Sequence, residues 1–224
     1  MIISHRHKFI FFCNGKTGTT SIEKVLAPYD ESKDCNHGAP GLWANKHMPP
    51  AVGRALLPRD IWDSYFKFVF VRNPYDWGLS AWRYTFSKKR RVDLVDLVHP
   101  RQAFRKYRDS NHRKHLSSIL ELGSEEVDRL HQEMRPFRCF PNASTCLQIH
   151  YVEDIEGHRL VDFVGRFESL ESDFLLIQDQ LGIKGELPHY NVSKSKNTKG
   201  FLPAGKQRFA ELWAPDFAKL EYSL

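Results

Sequence analysis

The stretch from Lys8 to Ser21, KFIFFCNGKTGTTS, joins a short apolar run to a cluster of small and hydroxyl-bearing residues. The apolar part, Lys8 to Cys13, is rich in Phe and Ile, which is typical of a parallel strand that is buried on both faces. The second part predicts a turn over residues 14–18 and then a helix from Thr19 to Ala27. The stretch therefore predicts a strand–turn–helix unit.

A second unit of the same kind lies further along the chain. Phe66 to Val71 is apolar nearly throughout, and Asn73 and Pro74 then supply an N-cap and a first helical residue. A third strand is predicted at 161–165 and a helix at 169–181. Repeated units with apolar strands predict an α/β fold of three layers, α/β/α, in which the central sheet is mainly parallel.

Length and composition are those of a globular domain. The chain has 224 residues, of which 41% are hydrophobic and 27% charged, and its formal net charge is +6. We predict a single domain over 1–224, with a charge-rich helical insertion at about 88–138. The positive charge favours an anionic ligand. The run Phe9 to Cys13 is too short to span a bilayer and no signal-peptide pattern is present, so we expect a soluble, cytoplasmic protein.

The loop between the first strand and the first helix has the composition of an anion-binding loop. Small residues let the backbone approach an anion, and a helix start adds unpaired N–H groups and a positive dipole end. Lys16 adds a mobile charge. The residues that we assign to binding a phosphate or phosphosulfate are Gly15, Lys16, Thr17, Gly18, Thr19, Thr20 and Ser21. The same composition also fits a helix-capping turn that binds nothing.

A nucleoside-triphosphate P-loop is an alternative interpretation of this loop. That motif requires a glycine five residues before its Gly-Lys-Thr, which here begins at Gly15. Ile10 occupies the required position, inside the strand. No acidic residue clearly suited to magnesium follows either apolar strand. A kinase that uses ATP and magnesium is therefore the second enzyme hypothesis, and both observations disfavour it.

The segment from Phe68 to Trp82, FVFVRNPYDWGLSAW, contains a second candidate motif. It places Arg72 at a strand end and Ser80 about two turns into the next helix. A guanidinium fork and a helix-borne hydroxyl can together hold a phosphate. An ion pair between Arg72 and Asp76, or a hydrogen bond from Arg72 that caps a carbonyl, is the alternative.

Together the two motifs resemble those of the sulfotransferases that use 3′-phosphoadenosine 5′-phosphosulfate (PAPS), in the carbohydrate-type branch with many small bacterial relatives, sulfotransferase family 2. Further segments similar to the family are residues 161–170, 173–174 and 187–194. The resemblance implies a P-loop-like α/β/α fold with PAPS as co-substrate. It also implies that the loop holds the 5′-phosphosulfate, and that Arg72 and Ser80 hold the 3′-phosphate.

The comparison with the family concerns three further positions. Arg166 is expected in the nucleotide pocket, although an internal ion pair with Glu168 fits the sequence equally well. Lys194 lies in a polar loop similar to the segment that closes over the cofactor, and a solvated run of charges is the alternative there. Trp77 departs from the family pattern, because many relatives carry a basic residue at this position.

Sulfuryl transfer requires in-line positioning and neutralisation of charge on the leaving oxygen, by analogy with phosphoryl transfer. Lys16 is our candidate for that neutralisation. A general base must remove the acceptor proton. We assign it to His47, because family members resemble the Lys46-His47-Met48 pattern and because imidazole titrates near neutral pH. His37 and a carboxylate remain alternatives, and no metal site is predicted.

The predicted activity is transfer of the sulfuryl group of PAPS to a hydroxyl or amine of a carbohydrate or small-molecule acceptor. A non-catalytic module that binds anions or nucleic acid is the rival, based on the basic runs at 88–91 and 101–115. Regularly spaced aromatic residues for base stacking are not evident in those runs, so nucleic acid is not an expected partner. The acceptor and the oligomeric state do not follow from the sequence.

Overall fold

The computed structural model describes residues 1–32, 46–87, 147–154, 156–188 and 203–224. The predicted insertion at about 88–138 lies outside the described residues, as do His37 and Lys194.

A four-stranded sheet with the order β1-β2-β3-β4 forms the centre of the fold. Its strands are β1 (Ile2–Ser4), β2 (Phe9–Phe12), β3 (Phe66–Val71) and β4 (Phe163–Arg166). Strand β3 is parallel to both of its neighbours, β2 and β4, whereas β1 is antiparallel to β2. The sheet is therefore mainly parallel, as predicted, and β4 begins two residues later than the predicted strand at 161–165.

Helices connect and cover the strands. They are α1 (Thr19–Leu26), α2 (Pro50–Leu56), α3 (Arg59–Ser64), α4 (Pro74–Ser87), α5 (Leu170–Leu181), α6 (Pro203–Leu212) and α7 (Ala214–Lys219). Asn73 caps α4 as predicted, since its Oδ1 accepts a hydrogen bond from the Tyr75 N–H at 3.0 Å. No helix in the described ranges has both the length and the hydropathy needed to cross a membrane.

Two hydrophobic cores lie on opposite faces of the sheet. The phenylalanines of one face of β2 and β3 pack against residues of α1 and α5. Side chains of the other face, among them Ile10 and Val69, pack against residues of α2 and α3. Each fully buried large side chain stabilises the fold by about 1.5–3 kcal/mol. The sheet is thus the middle of three layers, which confirms the predicted fold class.

The parallel strands also determine where a ligand can bind. The chain leaves β2 after Phe12 and β3 after Val71, and both exits lie at the same edge of the sheet. In open α/β sheets, ligands bind beyond the carboxyl ends of the strands. Both motifs singled out in the sequence follow these two strand ends.

Candidate functional site

The loop between β2 and α1 turns sharply through two residues in the left-handed region. Lys16 has a φ of 69° and Gly18 a φ of 80°. Such turns can direct successive backbone N–H groups toward one concave surface. Helix α1 begins at Thr19 without a side-chain cap, and the first N–H groups of a helix can bind an anion.

The hydroxyl groups of the loop have different surroundings. Thr17 is fully buried, and its Oγ1 donates a hydrogen bond to the carbonyl oxygen of Asn14 at 2.8 Å. This hydroxyl therefore stabilises the conformation of the loop itself. Thr19 and Ser21 are also buried. The partly exposed side chains of the loop are those of Lys16 and Thr20.

Arg72 lies directly after β3 and beside the loop. Its Nη1 is 3.5 Å from the carbonyl oxygen of Lys16, a long and weak hydrogen bond. Its Cζ lies 4.1 Å from the centre of the Phe167 ring, where a guanidinium is attracted by the ring face. The structure thus brings the two predicted motifs together at one edge of the sheet.

His47 lies at the same edge of the sheet. Its Nδ1 is 2.8 Å from the carbonyl oxygen of Cys13, the residue after β2. Because a carbonyl oxygen can only accept, Nδ1 carries the proton and Nε2 holds the lone pair of the neutral ring. The hydroxyl of the buried Tyr151 donates to the carbonyl oxygen of His47 at 2.9 Å. Both the ring and the backbone of His47 are therefore held in place.

The surroundings of His47 favour its neutral form. Burial lowers the pKa of His47 below its ordinary value of 6.5, and the neighbouring charge of Lys46 lowers it further, while the hydrogen bond to Cys13 opposes this shift. Lys46 is paired with Glu23 of α1. The imidazole is consequently neutral at physiological pH and has a basic Nε2.

Comparison with known proteins identifies the family of the chain. A family model described as the sulfotransferase family matches residues 1–215. The chain belongs to the sulfotransferase family. Among solved structures, it is similar to a sulfotransferase from Alicyclobacillus acidocaldarius, with 17% sequence identity over 94% of this chain and 93% of that chain and a TM-score of 0.41. Curated proteins give no match.

Family membership confirms the resemblance carried by the two motifs. It indicates that the protein transfers a sulfuryl group. The donor, the acceptor and the roles of individual residues stay predictions. In this sulfotransferase, the candidate groups lie around the carboxyl ends of β2 and β3, where the loop, Arg72 and His47 meet.

Two other predicted residues of the sulfotransferase also lie within the described residues. Ser80 is in α4, with a partly exposed side chain. Arg166 ends β4, and its Nη2 donates to the carbonyl oxygen of Leu220 at 2.9 Å while its Cζ lies 4.6 Å from the Tyr222 ring centre. Arg166 pairs with Val71, the residue before Arg72, so it lies at the same edge of the sheet, and its contacts also join it to the C-terminal segment. Its place in the nucleotide pocket stays a prediction.

Trp77 supports the loop of the sulfotransferase in a way that the sequence did not reveal. Its side chain is 1% exposed, and its Nε1–H donates to the carbonyl oxygen of Gly15 at 2.8 Å. The sequence marked Trp77 only as a departure from the basic residue of many relatives. A second unforeseen contact comes from Gln148, whose side-chain amide hydrogen-bonds to the backbone of Arg72.

Replacing Trp77 with Phe is expected to lower the free energy of unfolding by about 1–3 kcal/mol, because the buried Gly15 carbonyl loses its donor. Urea unfolding measures the change. Trp213→Phe is the control, since the buried Nε1 of Trp213 has no acceptor among the residues that the structure describes. An equal loss of stability in the two variants would show that the hydrogen bond to Gly15 contributes nothing.

Within the described ranges, no group of three or more His, Cys, Asp or Glu side chains is arranged to hold a metal ion. Metal independence stays a prediction for this sulfotransferase.

Proposed function

We propose that the protein transfers the sulfuryl group of PAPS to a hydroxyl or amine of a carbohydrate or small-molecule acceptor. The observation that supports this most strongly is the meeting of three groups at one sheet edge. Nη1 of Arg72 lies 3.5 Å from the carbonyl oxygen of Lys16 in the anion-binding loop, and Nδ1 of His47 lies 2.8 Å from the carbonyl oxygen of Cys13. Membership in the sulfotransferase family supports the type of transfer.

The hydrogen-bond donors of the site suit a nucleotide that carries a negatively charged group at each end. The loop over residues 15–21 offers backbone N–H groups and the charge of Lys16, which suits the 5′-phosphosulfate. Arg72 offers a planar fork of donors, which suits the 3′-phosphate. In the proposal Ser80 adds a hydroxyl at that phosphate, and Arg166 and Lys194 complete the nucleotide pocket.

The proposed reaction is an in-line displacement at sulfur. The acceptor oxygen forms a new bond to sulfur while the bond from sulfur to the 5′-phosphate oxygen breaks, and that oxygen keeps the electron pair. Lys16 stabilises the negative charge that develops there. The acceptor proton passes to Nε2 of His47. The products are the sulfated acceptor and adenosine 3′,5′-bisphosphate (PAP), and no step requires a metal ion.

We expect kcat/KM to depend on pH through the protonation of His47, which is partly buried and neutral. Only the neutral ring accepts a proton, so kcat/KM rises as the pH rises through the pKa of His47 and then levels off. Because that pKa lies below 6.5, the acidic limb should be centred below this value. A pH profile of kcat/KM measures it. An acidic limb centred above 6.5 would exclude the assigned environment of His47.

A transfer assay tests the proposed function. Radiolabelled PAPS is incubated with the protein, without magnesium, and with a panel of sugars, phenols and aliphatic amines. We expect label to appear on at least one acceptor class, with an equal amount of PAP released. ATP with magnesium and the same acceptors forms the parallel reaction. Transfer of phosphate from ATP, without transfer from PAPS, would support the kinase hypothesis instead.

A further inference from the structure

Two buried amide side chains fill the gap where β2 and β3 separate. The paired register of these strands ends at Phe12 and Val69. Just beyond it lie Asn14 and Gln148, both fully buried. Nδ2 of Asn14 donates to the carbonyl oxygen of Phe70 at 3.0 Å and lies 3.4 Å from Oε1 of Gln148. The two amides supply hydrogen bonds that the separating backbones no longer exchange.

Gln148 hydrogen-bonds to both sides of the Arg72 backbone. The Arg72 N–H donates to Oε1 at 2.9 Å, and Nε2 donates to the Arg72 carbonyl oxygen at 2.7 Å. This two-way pairing resembles that of a neighbouring strand, and it fixes the peptide units before and after the Cα of Arg72. The direction in which the Arg72 side chain leaves the backbone is therefore set by Gln148.

Gln148 is itself held from the opposite side. The two carboxylate oxygens of Asp216 accept hydrogen bonds from the backbone N–H groups of Gln148 and Ile149, both at 2.9 Å. Asp216 belongs to α7 and is fully buried. The hydrogen bonds to Asp216 and to the Arg72 backbone therefore hold Gln148 on two sides. They connect α7 to the strand end that bears Arg72.

We propose that Gln148 is a positioning residue for recognition of the 3′-phosphate of the nucleotide. It holds the Arg72 backbone, from which the guanidinium extends over Phe167 and beside the loop. The inference rests on the proposed function, since it takes Arg72 as the 3′-phosphate ligand. That phosphate does not react, so the contact is equally strong in the ground and transition states. Its loss raises the KM for PAPS and leaves kcat largely unchanged.

The test variant is Gln148→Met, which keeps an unbranched side chain of similar size and removes its hydrogen bonds. Calorimetry gives the Kd for PAP and for adenosine 5′-phosphate, which lacks the 3′-phosphate. We expect the preference for PAP to fall by about tenfold or more, as a misdirected charge-assisted contact implies. The KM for PAPS should rise by a similar factor, while kcat stays within about threefold.

Gln178→Met is the matched control. Gln178 is a buried glutamine of α5, and its Nε2 donates to the carbonyl oxygen of Gly185 at 2.9 Å. The substitution removes the same kind of hydrogen bond at a place away from Arg72. We expect a loss of stability in both variants but a changed preference for PAP only in Gln148→Met. If Gln148 had a purely structural role, the Gln148→Met protein would prefer PAP over adenosine 5′-phosphate as strongly as the control variant does.

The outcomes separate the two proposals. A folded Gln148→Met protein with the wild-type preference for PAP overturns the positioning role alone. If that variant does not fold, Gln148→Asn replaces it. Its uncharged amide is one methylene shorter and cannot hydrogen-bond to both the N–H and the carbonyl oxygen of Arg72, so the preference for PAP should again fall; an unchanged preference overturns the role. A wild-type protein that binds PAP no more tightly than adenosine 5′-phosphate overturns the proposed function itself.

Discussion

Lys16→Met is expected to lower kcat for sulfuryl transfer by about 10²–10³-fold, because it removes the charge assigned to the leaving oxygen. Lys16 lies at the sharp turn of the loop, with a φ of 69°. Methionine also has an unbranched side chain, so the cost of the left-handed conformation is the same in both proteins. Steady-state rates at saturating PAPS, with an acceptor identified in the transfer assay, measure the effect.

Lys24→Met is the control for the change of charge. Lys24 is an exposed residue in the last turn of α1, so the same substitution there leaves the loop intact. We expect its kcat to stay within about twofold of wild type, as for most surface substitutions. If Lys16→Met lost no more activity than Lys24→Met, the leaving oxygen would be stabilised by another group.

His47→Gln is expected to lower kcat by about 10²–10⁴-fold, the range attributed to a general base. Glutamine can still donate a hydrogen bond to the Cys13 carbonyl, as Nδ1 of His47 does at 2.8 Å. It has no basic nitrogen to take the acceptor proton. We therefore expect PAP to bind with nearly wild-type affinity while the acidic limb of the pH profile disappears. Rates at saturating PAPS and calorimetry with PAP distinguish these two effects.

His7→Gln is the matched control for this substitution. Nδ1 of His7 lies 3.1 Å from the carbonyl oxygen of Leu181, so this ring also makes a hydrogen bond to a backbone carbonyl. His7 precedes β2, at the opposite end of the strand from the candidate site. We expect wild-type kcat for this variant. A His47→Gln protein that kept more than about one third of its kcat would assign the general base to another group.

Local signals in the sequence were sufficient for the elements that present the site. The apolar run of β2 and the glycine-rich turn after it predicted the loop, and β3 lies at the predicted Phe66–Val71. Asn73 caps α4 through its own side chain, a contact between residues two apart. These features depend on neighbours in the chain, which is why a single sequence indicates them.

The supporting contacts of the site depend on residues that are far apart in the chain. Trp77 donates to Gly15, and Gln148 pairs with the backbone of Arg72. No periodicity or motif indicates which buried tryptophan or glutamine will meet which backbone group. Strand β1 was missed for a different reason, because its three residues are too few to show a period. The family motifs identified the site, and the fold reveals how it is supported.

The most direct test of the central claim is a calorimetric titration of the wild-type protein with PAP in the absence of magnesium. Adenosine 5′-phosphate, and ATP with magnesium, are titrated in parallel. We expect PAP to bind at least about tenfold more tightly than adenosine 5′-phosphate, and this advantage to be lost in Arg72→Ala. Tighter binding of ATP with magnesium, or no binding of PAP, would contradict the assignment of PAPS as the sulfuryl donor.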